Sequence, residues 1–295
     1  MTADTITKID RLWLEITGKC NLECVHCYAD SGPLGNHGTM TAGDWSGVID
    51  DARKLGASVQ LIGGEPTKHP QFSEILGHAI EAGIGVEVYS NLVTISAGMW
   101  ELFRAPNVSL AFSYYSKDSG PHNALTRRNS HASTRSNAAK AVELGIPIRA
   151  GIIDTGGGHA DGARADLADL GITTVRVDRI RGVGRAGGND VSELCGRCGR
   201  GVAAVGPDGD VWPCVMSRWL SVGNVRMSPL PEILAGRAMA RTVATIPLTG
   251  QSCDPECSPA SPTGGCAPRG AIGQACDPNT ECTPGSPGSE CSPRT

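Results

Sequence analysis

Six short apolar runs, rich in Val, Ile and Leu, recur at about residues 11–17, 58–62, 85–90, 108–113, 148–153 and 174–178. Runs of this length and composition read as strands buried on both faces. Helical periodicity separates most of them. Between Thr41 and Leu55, the side chains Trp45, Val48, Ile49, Ala52 and Leu55 fall on one helical face, with Thr41 placed to cap the first turn and Asp44 beside it. Similar patterns run from Pro70 to Ala82, Ser133 to Leu144 and Asp161 to Leu170, with Gly83, Gly145 and Gly171 as stops. Strands alternating with helices imply an α/β fold with parallel pairing and right-handed crossovers.

Cys20, Cys24 and Cys27 sit directly after the first run, in Cys20-Asn21-Leu22-Glu23-Cys24-Val25-His26-Cys27-Tyr28. Three thiols in so tight a loop suit a four-iron cluster that keeps one iron open to a small molecule. By itself the loop is also open to a zinc site or to structural cysteines, since Cys195, Cys198 and Cys214 could supply the second half of a zinc set. Gly63-Gly64-Glu65-Pro66 closes the second strand, some forty residues later.

Together these two motifs resemble the radical S-adenosylmethionine (SAM) enzymes. The resemblance implies a partial (β/α)6 TIM-like barrel with its chemistry at the carboxyl ends of the strands. It also implies a 4Fe-4S cluster on Cys20, Cys24 and Cys27, whose open iron chelates SAM, and reductive release of a 5′-deoxyadenosyl radical. Gly63, Gly64, Glu65 and Pro66 then contact the SAM amino group. Ser90 and Asn91 at the third strand end, and Ser113 at the fourth, are candidates to hold SAM. Arg128, in a stretch from His122 that precedes a helix, is expected against the SAM carboxylate, which a guanidinium matches bidentately. Asp178 closes the sixth strand, and the basic segment Asp178 to Arg185 reads either as a solvated loop or as a wall that grips a carboxylate-bearing substrate.

Composition changes from about Val183. Cys195-Gly196-Arg197-Cys198 is followed by Pro207-Asp208-Gly209, a hairpin signal between Val205 and Val211, which delivers Cys214. This stretch resembles the SPASM and shorter Twitch extensions, in which further cysteines bind auxiliary iron–sulfur clusters; a zinc knuckle tolerates the same spacing. Beyond Gly250 the cysteines Cys253, Cys257, Cys266, Cys276, Cys282 and Cys291 lie among Pro, Gly and Ser, a composition that builds no core of its own. Cys253-x3-Cys257-x8-Cys266 departs from the full SPASM order. Cys253 or Cys257 is a candidate to complete the first auxiliary site, and the number of auxiliary clusters stands at one or two. The expected organisation is a barrel over 1–185, a Twitch/SPASM-like region over 186–250 and a Cys/Pro/Gly-rich tail over 251–295, the extension being largely irregular.

With 295 residues, 40% of them hydrophobic, the chain can bury one sizeable core, and its formal net charge of −4 carries no nucleic-acid footprint. No apolar run approaches a membrane span, and the first ten residues lack a signal-peptide centre, so a cytoplasmic enzyme with reduced or metal-bound thiols is expected. The extension further implies a peptide substrate, with a ribosomally made precursor crosslinked within itself. The alternatives are epimerisation, modification of a protein as by the sulfatase-maturing type, and small-molecule or cofactor-biosynthesis chemistry. The implied partners are the precursor peptide and an electron donor such as flavodoxin or ferredoxin. The first strand begins near residue 11, so leader recognition is expected to use the barrel, the tail or a separate leader-binding protein.

Overall fold

A computed structural model of the chain describes residues 8–248. Six parallel strands form the barrel: β1 (Arg11–Thr17), β2 (Ser58–Gly63), β3 (Val86–Tyr89), β4 (Val108–Ser113), β5 (Ile148–Asp154) and β6 (Val175–Arg179). Each lies within two residues of its apolar run, because a strand buried on both faces leaves an uninterrupted apolar signature. In β1, Leu12, Leu14 and Ile16 are fully buried, and so are Glu15 and Thr17.

Helices cross between these strands: α1 (Ala42–Lys54), α2 (Phe72–Glu81), α3 (Ala97–Phe103), α4 (Ser119–Thr126), α5 (His131–Glu143) and α6 (His159–Asp169). The expected cap of α1 is a full capping box. Thr41 Oγ1 accepts from the Asp44 N–H at 3.2 Å, and Asp44 Oδ2 accepts from the Thr41 N–H at 2.8 Å. Such a cap contributes about 1 kcal/mol. Trp45, Val48, Ile49 and Ala52 of α1 are buried against the sheet. Two short helices escaped the periodicity. In α3 the seven residues give barely two turns of pattern. The stretch from His122 precedes α5 as expected, but its residues His122 to Thr126 also form the end of α4, which is capped by Arg127 in the left-handed region with φ of 54°.

The sheet does not stop at β1. Strand β7 (Val202–Val205) pairs parallel to β1 on the side opposite β2, with Leu14 aligned to both Leu61 and Val205. Strands β8 (Asp210–Trp212) and β9 (Gly223–Asn224) continue it antiparallel, giving the order β6-β5-β4-β3-β2-β1-β7-β8-β9. The expected hairpin joins β7 to β8, and Pro207 at its tip accepts the N–H groups of Thr39 and Met40, each at 3.0 Å. Two helices follow, α7 (Leu230–Leu234) and α8 (Arg237–Ala244), so the part of the extension between 186 and 248 holds more regular structure than its composition suggested. Among the described residues, no helix is long and apolar enough to cross a membrane.

Candidate active site

The carboxyl ends of the barrel strands open into a cavity of about 270 Å³. Cys20, Cys24 and Cys27 line it from the loop after β1. That loop is held on its outer side by backbone bonds from Glu23 to Thr126 O at 3.1 Å and from Val25 to Leu125 O at 3.0 Å, at the end of α4. On its inner side the Leu22 N–H donates to Cys20 Sγ and the Ser31 N–H to Cys27 Sγ, both at 3.3 Å. Tyr115, just past the end of β4, adds a hydroxyl donor to Cys24.

Burial pushes the Cys20 thiol up to about 12, with the Glu65 carboxylate adding to the rise. Burial and then the neighbouring Cys27 raise Cys24 to about 11, against the Tyr115 bond. Without a counter-charge these two groups are neutral thiols at pH 7. Iron supplies the positive charge that makes thiolates of such sulfurs, and the N–H donors suit a cluster's sulfur ligands. The donor set therefore fits a cluster.

The strand end after β2 forms the next wall. Gly63 has φ of +136°, and a Cβ there would lie 2.4 Å from Thr17 O; at Gly64 it would lie 2.3 Å from Lys19 O. These glycines let the turn press against the start of the cysteine loop, where the Gly64 N–H donates to Thr17 O at 2.7 Å and the Glu65 N–H to Lys19 O at 2.9 Å. The Glu65 carboxylate is 1% exposed. It accepts from Thr67 Oγ1 at 2.7 Å, Ser90 Oγ at 2.8 Å and the Asn91 N–H at 2.6 Å. Burial raises its pKa, and these donors, Asn91 first, oppose the rise. Glu65 thus fastens the end of β3 to the end of β2.

Of the residues expected to hold SAM, Gly63, Gly64, Ser90, Asn91 and Ser113 line the cavity. Glu65 and Pro66 are buried behind that wall. Asn91 Nδ2 donates to Asn21 Oδ1 at 2.8 Å and reaches to 3.8 Å from Cys20 Sγ, which joins the third strand end to the cysteine loop. Arg128 is the exception. It follows the left-handed Arg127, faces outward and pairs with Glu23 Oε2 at 2.9 Å, so it is no part of the cavity wall.

The opposite wall comes from beyond β6. Cys195, Cys198 and Cys214 line the same cavity as the first three cysteines. Cys198 and Cys214 are buried with their sulfurs 2.8 Å apart, and the Cys198 hydrogen bond lowers the Cys214 pKa. Cys195 stands on the same wall, three residues before Cys198. Cys253 and Cys257 lie outside the described residues. In the basic segment, Arg181 forks onto the Asp178 carboxylate at 3.0–3.1 Å and Arg179 pairs with Glu193 at 2.8 Å, both beside the cavity. Arg185 reaches instead to the cysteine loop, donating to Cys24 O at 2.6 Å.

The profile of the radical SAM superfamily matches residues 14–171, more than half of the chain. This chain belongs to the radical SAM superfamily. An iron–sulfur cluster-binding domain of the SPASM type matches residues 195–259. A 4Fe-4S cluster with SAM, together with auxiliary iron–sulfur clusters, follows as the cofactor set. Among curated relatives, "PqqA peptide cyclase" of Streptomyces rochei is 26% identical over 56% of this chain and 46% of its own length. "Mycofactocin maturase MftC" of Mycobacterium ulcerans is 30% identical over 61% of this chain and 49% of its own. The chain thus spans about half the length of these two relatives. Streptococcus suis SuiB with its precursor peptide SuiA superimposes with a TM-score of 0.69 at 16% identity, over 79% of this chain and 66% of SuiB, which shows the shared fold.

Sequence reasoning missed Tyr115 and Asn21 in this radical SAM site. A tyrosine two residues beyond a strand and an asparagine between cysteines carry no local signal; only the packing of the β4 and β3 ends against the loop brings Tyr115 to Cys24 and Asn91 to Asn21.

Proposed function

We propose that this chain is a peptide maturase, acting on a ribosomally made precursor and forming a crosslink within it. The observation that carries this reading is that two cysteine sets, Cys20/Cys24/Cys27 and Cys195/Cys198/Cys214, line one cavity. A substrate lodged there lies between a radical source and an electron acceptor. The names of two curated relatives, a peptide cyclase and a mycofactocin maturase, and the precursor-bound SuiB structure support a peptide substrate.

Cys20, Cys24 and Cys27 would hold the catalytic cluster, and Cys195, Cys198 and Cys214 would belong to the auxiliary set. When bound, the catalytic cluster with SAM supplies the hydrogen-abstracting deoxyadenosyl radical, and an auxiliary cluster supplies a sink for the electron left on the product. The chain's own residues orient and enclose. Ser90, Asn91 and Ser113 present hydroxyl and amide groups to SAM, Tyr115 and Leu22 close the wall beside the sulfurs, and Trp13, Ile62 and Ile152 line the cavity with apolar surface that keeps water from a reactive carbon. A flavodoxin- or ferredoxin-type protein is the electron donor in this reading, and leader recognition falls to a separate leader-binding protein or to surfaces of this chain.

The test is mass spectrometry of an anaerobic reaction with reconstituted enzyme, SAM, reductant and a short peptide encoded beside the gene. A peptide that loses two hydrogens as deoxyadenosine accumulates is the expected result. Uptake of one deuterium from deuterated water without loss of hydrogen would make it an epimerase. Deoxyadenosine with an unaltered peptide would overturn the peptide assignment.

A further inference from the structure

The segment that leaves the barrel after β6 passes directly over the back of the cysteine loop. Gly184 and Arg185 begin a short turn there, and Arg185 spends its donors on a single target. Nη1 donates to Cys24 O at 2.6 Å, Nη2 to Ser31 O at 2.7 Å, and Nε to the Asp30 carboxylate at 2.9 Å. Its backbone N–H donates to Cys27 O at 2.9 Å. Gly184 makes this approach possible: its φ is +59°, and a Cβ there would meet Tyr28 O at 2.2 Å and Cys27 O at 2.5 Å.

The loop has two faces, and this contact sorts its peptide groups between them. Carbonyls of Cys24, Cys27 and Ser31 turn outward to Arg185, while the N–H groups of Leu22 and Ser31 turn inward to the sulfurs of Cys20 and Cys27. Ser31 is held from both sides, its carbonyl on the guanidinium and its N–H on Cys27 Sγ. The Asp30 side chain is 70% exposed, so the ion pair with it is the weakest part of the contact. The Arg185 side chain is only 21% exposed, which keeps its charge close to the loop and poorly screened. Hydrogen bonds to cluster sulfurs and nearby charge are two of the levers that set an iron–sulfur potential.

We infer that Arg185 is the positioning residue of the cysteine loop: by gripping its carbonyls it holds the loop's N–H groups on the sulfurs and raises the reduction potential of the cluster held there. The inference rests on the assignment of that cluster to Cys20, Cys24 and Cys27. It also gives the connection into the C-terminal region a task at the catalytic cluster, because a pull on residues beyond Arg185 is felt first at the carbonyls of Cys24 and Ser31.

The experiment is a redox titration, followed by electron paramagnetic resonance, of the reduced-cluster signal that changes when SAM is added. It uses the full reconstituted chain and the variants R185A, R185K and R128A, with iron content and far-ultraviolet circular dichroism measured alongside. The midpoint is expected to move to lower potential in R185A, and in the same direction but less far in R185K, which keeps the charge and loses the fork. Arg128 pairs with Glu23 of the same loop but grips none of these carbonyls, so R128A is expected at the wild-type midpoint. An unchanged midpoint in R185A with full iron content would overturn the inference, as would an equal shift in R128A, which would make the effect one of general charge. Should R185A fold but lose the cluster, R185K decides by its midpoint, a wild-type value there counting against the inference. Failure of R185K to fold would make Arg185 a general folding residue and also overturn it. A SAM-responsive signal that survives replacement of Cys20, Cys24 and Cys27 in a chain that keeps Arg185 overturns the cluster assignment instead, which separates the two.

Discussion

Arg218, four residues beyond Cys214, reaches into the barrel and pairs with Glu15 in the middle of β1 at 2.9 Å. Glu15 is 1% exposed, and Arg218 also donates to Ala29 O at 3.0 Å and lies over the Trp212 ring at 5.1 Å. One guanidinium thus touches the first barrel strand, the residue two past Cys27, and the hairpin that delivers Cys214. Burial raises the Glu15 pKa, and the Arg218 charge is the main force against that rise.

Replacing Arg218 by Ala should therefore be strongly destabilising, on the order of 3 kcal/mol at pH 7, because it strands a buried carboxylate. The double variant E15Q/R218A should recover much of that loss. A folded-state pKa above the unfolded value means that the folded chain binds this proton more tightly, so the R218A deficit shrinks as pH falls from neutral. Urea midpoints of the single and double variants at pH 7 and pH 5 check both points; equal deficits at the two pH values would count against the buried-charge explanation.

Gly63→Ala should lower stability by at least about 1–3 kcal/mol, the range for a strained backbone, with the collision against Thr17 O added to it. Gly47→Ala is the internal control. It sits on the exposed side of α1 with open space around its Cα, and there the same change should stabilise by about 0.5–1 kcal/mol. Thermal midpoints moving in opposite directions are the expected outcome.

His122 is buried in α4 against Tyr114, Tyr115 and His131, with ring centroids at 5.4, 5.2 and 5.2 Å. Burial, and then the charge of His131, bring its pKa down to about 4. The unfolded chain takes up this proton near pH 6.5 and the folded chain only near 4, so stability is intact above 6.5 and is lost as pH falls between them. The slope from this one group reaches up to about 1.4 kcal/mol per pH unit. In His122→Leu that part of the slope should vanish; urea titrations from pH 7 to 4.5 that stay parallel for the two proteins would contradict it.

Cys27→Ala should abolish deoxyadenosine formation under anaerobic reducing conditions, and full activity would refute the cluster assignment. Cys214→Ala should leave SAM cleavage partly intact while blocking the peptide product, because its sulfur lines the far side of the cavity. Chromatography of deoxyadenosine beside peptide mass separates the two effects. Joint loss in the Cys214 variant would point to a folding role for that residue.

The sequence by itself determined what depends on neighbours in the chain. Six strands and four of the helices were legible because burial on both faces leaves an unbroken apolar run and burial of one helix face imposes a period of 3.6, and the cysteine loop and Gly63 to Pro66 were legible because their chemistry sits in a few consecutive residues. The tertiary structure alone decided the rest. It set β7 beside β1, since parallel pairing leaves no mark that names a partner. It turned Arg128 outward through one left-handed residue, hid Glu65 behind the wall it supports, and brought Arg185 and Arg218 back across more than 150 residues to the loop of Cys20, Cys24 and Cys27. An arginine's reach is set by where the folded backbone places it, and that is fixed by the packing of the whole sheet, not by the residues on either side.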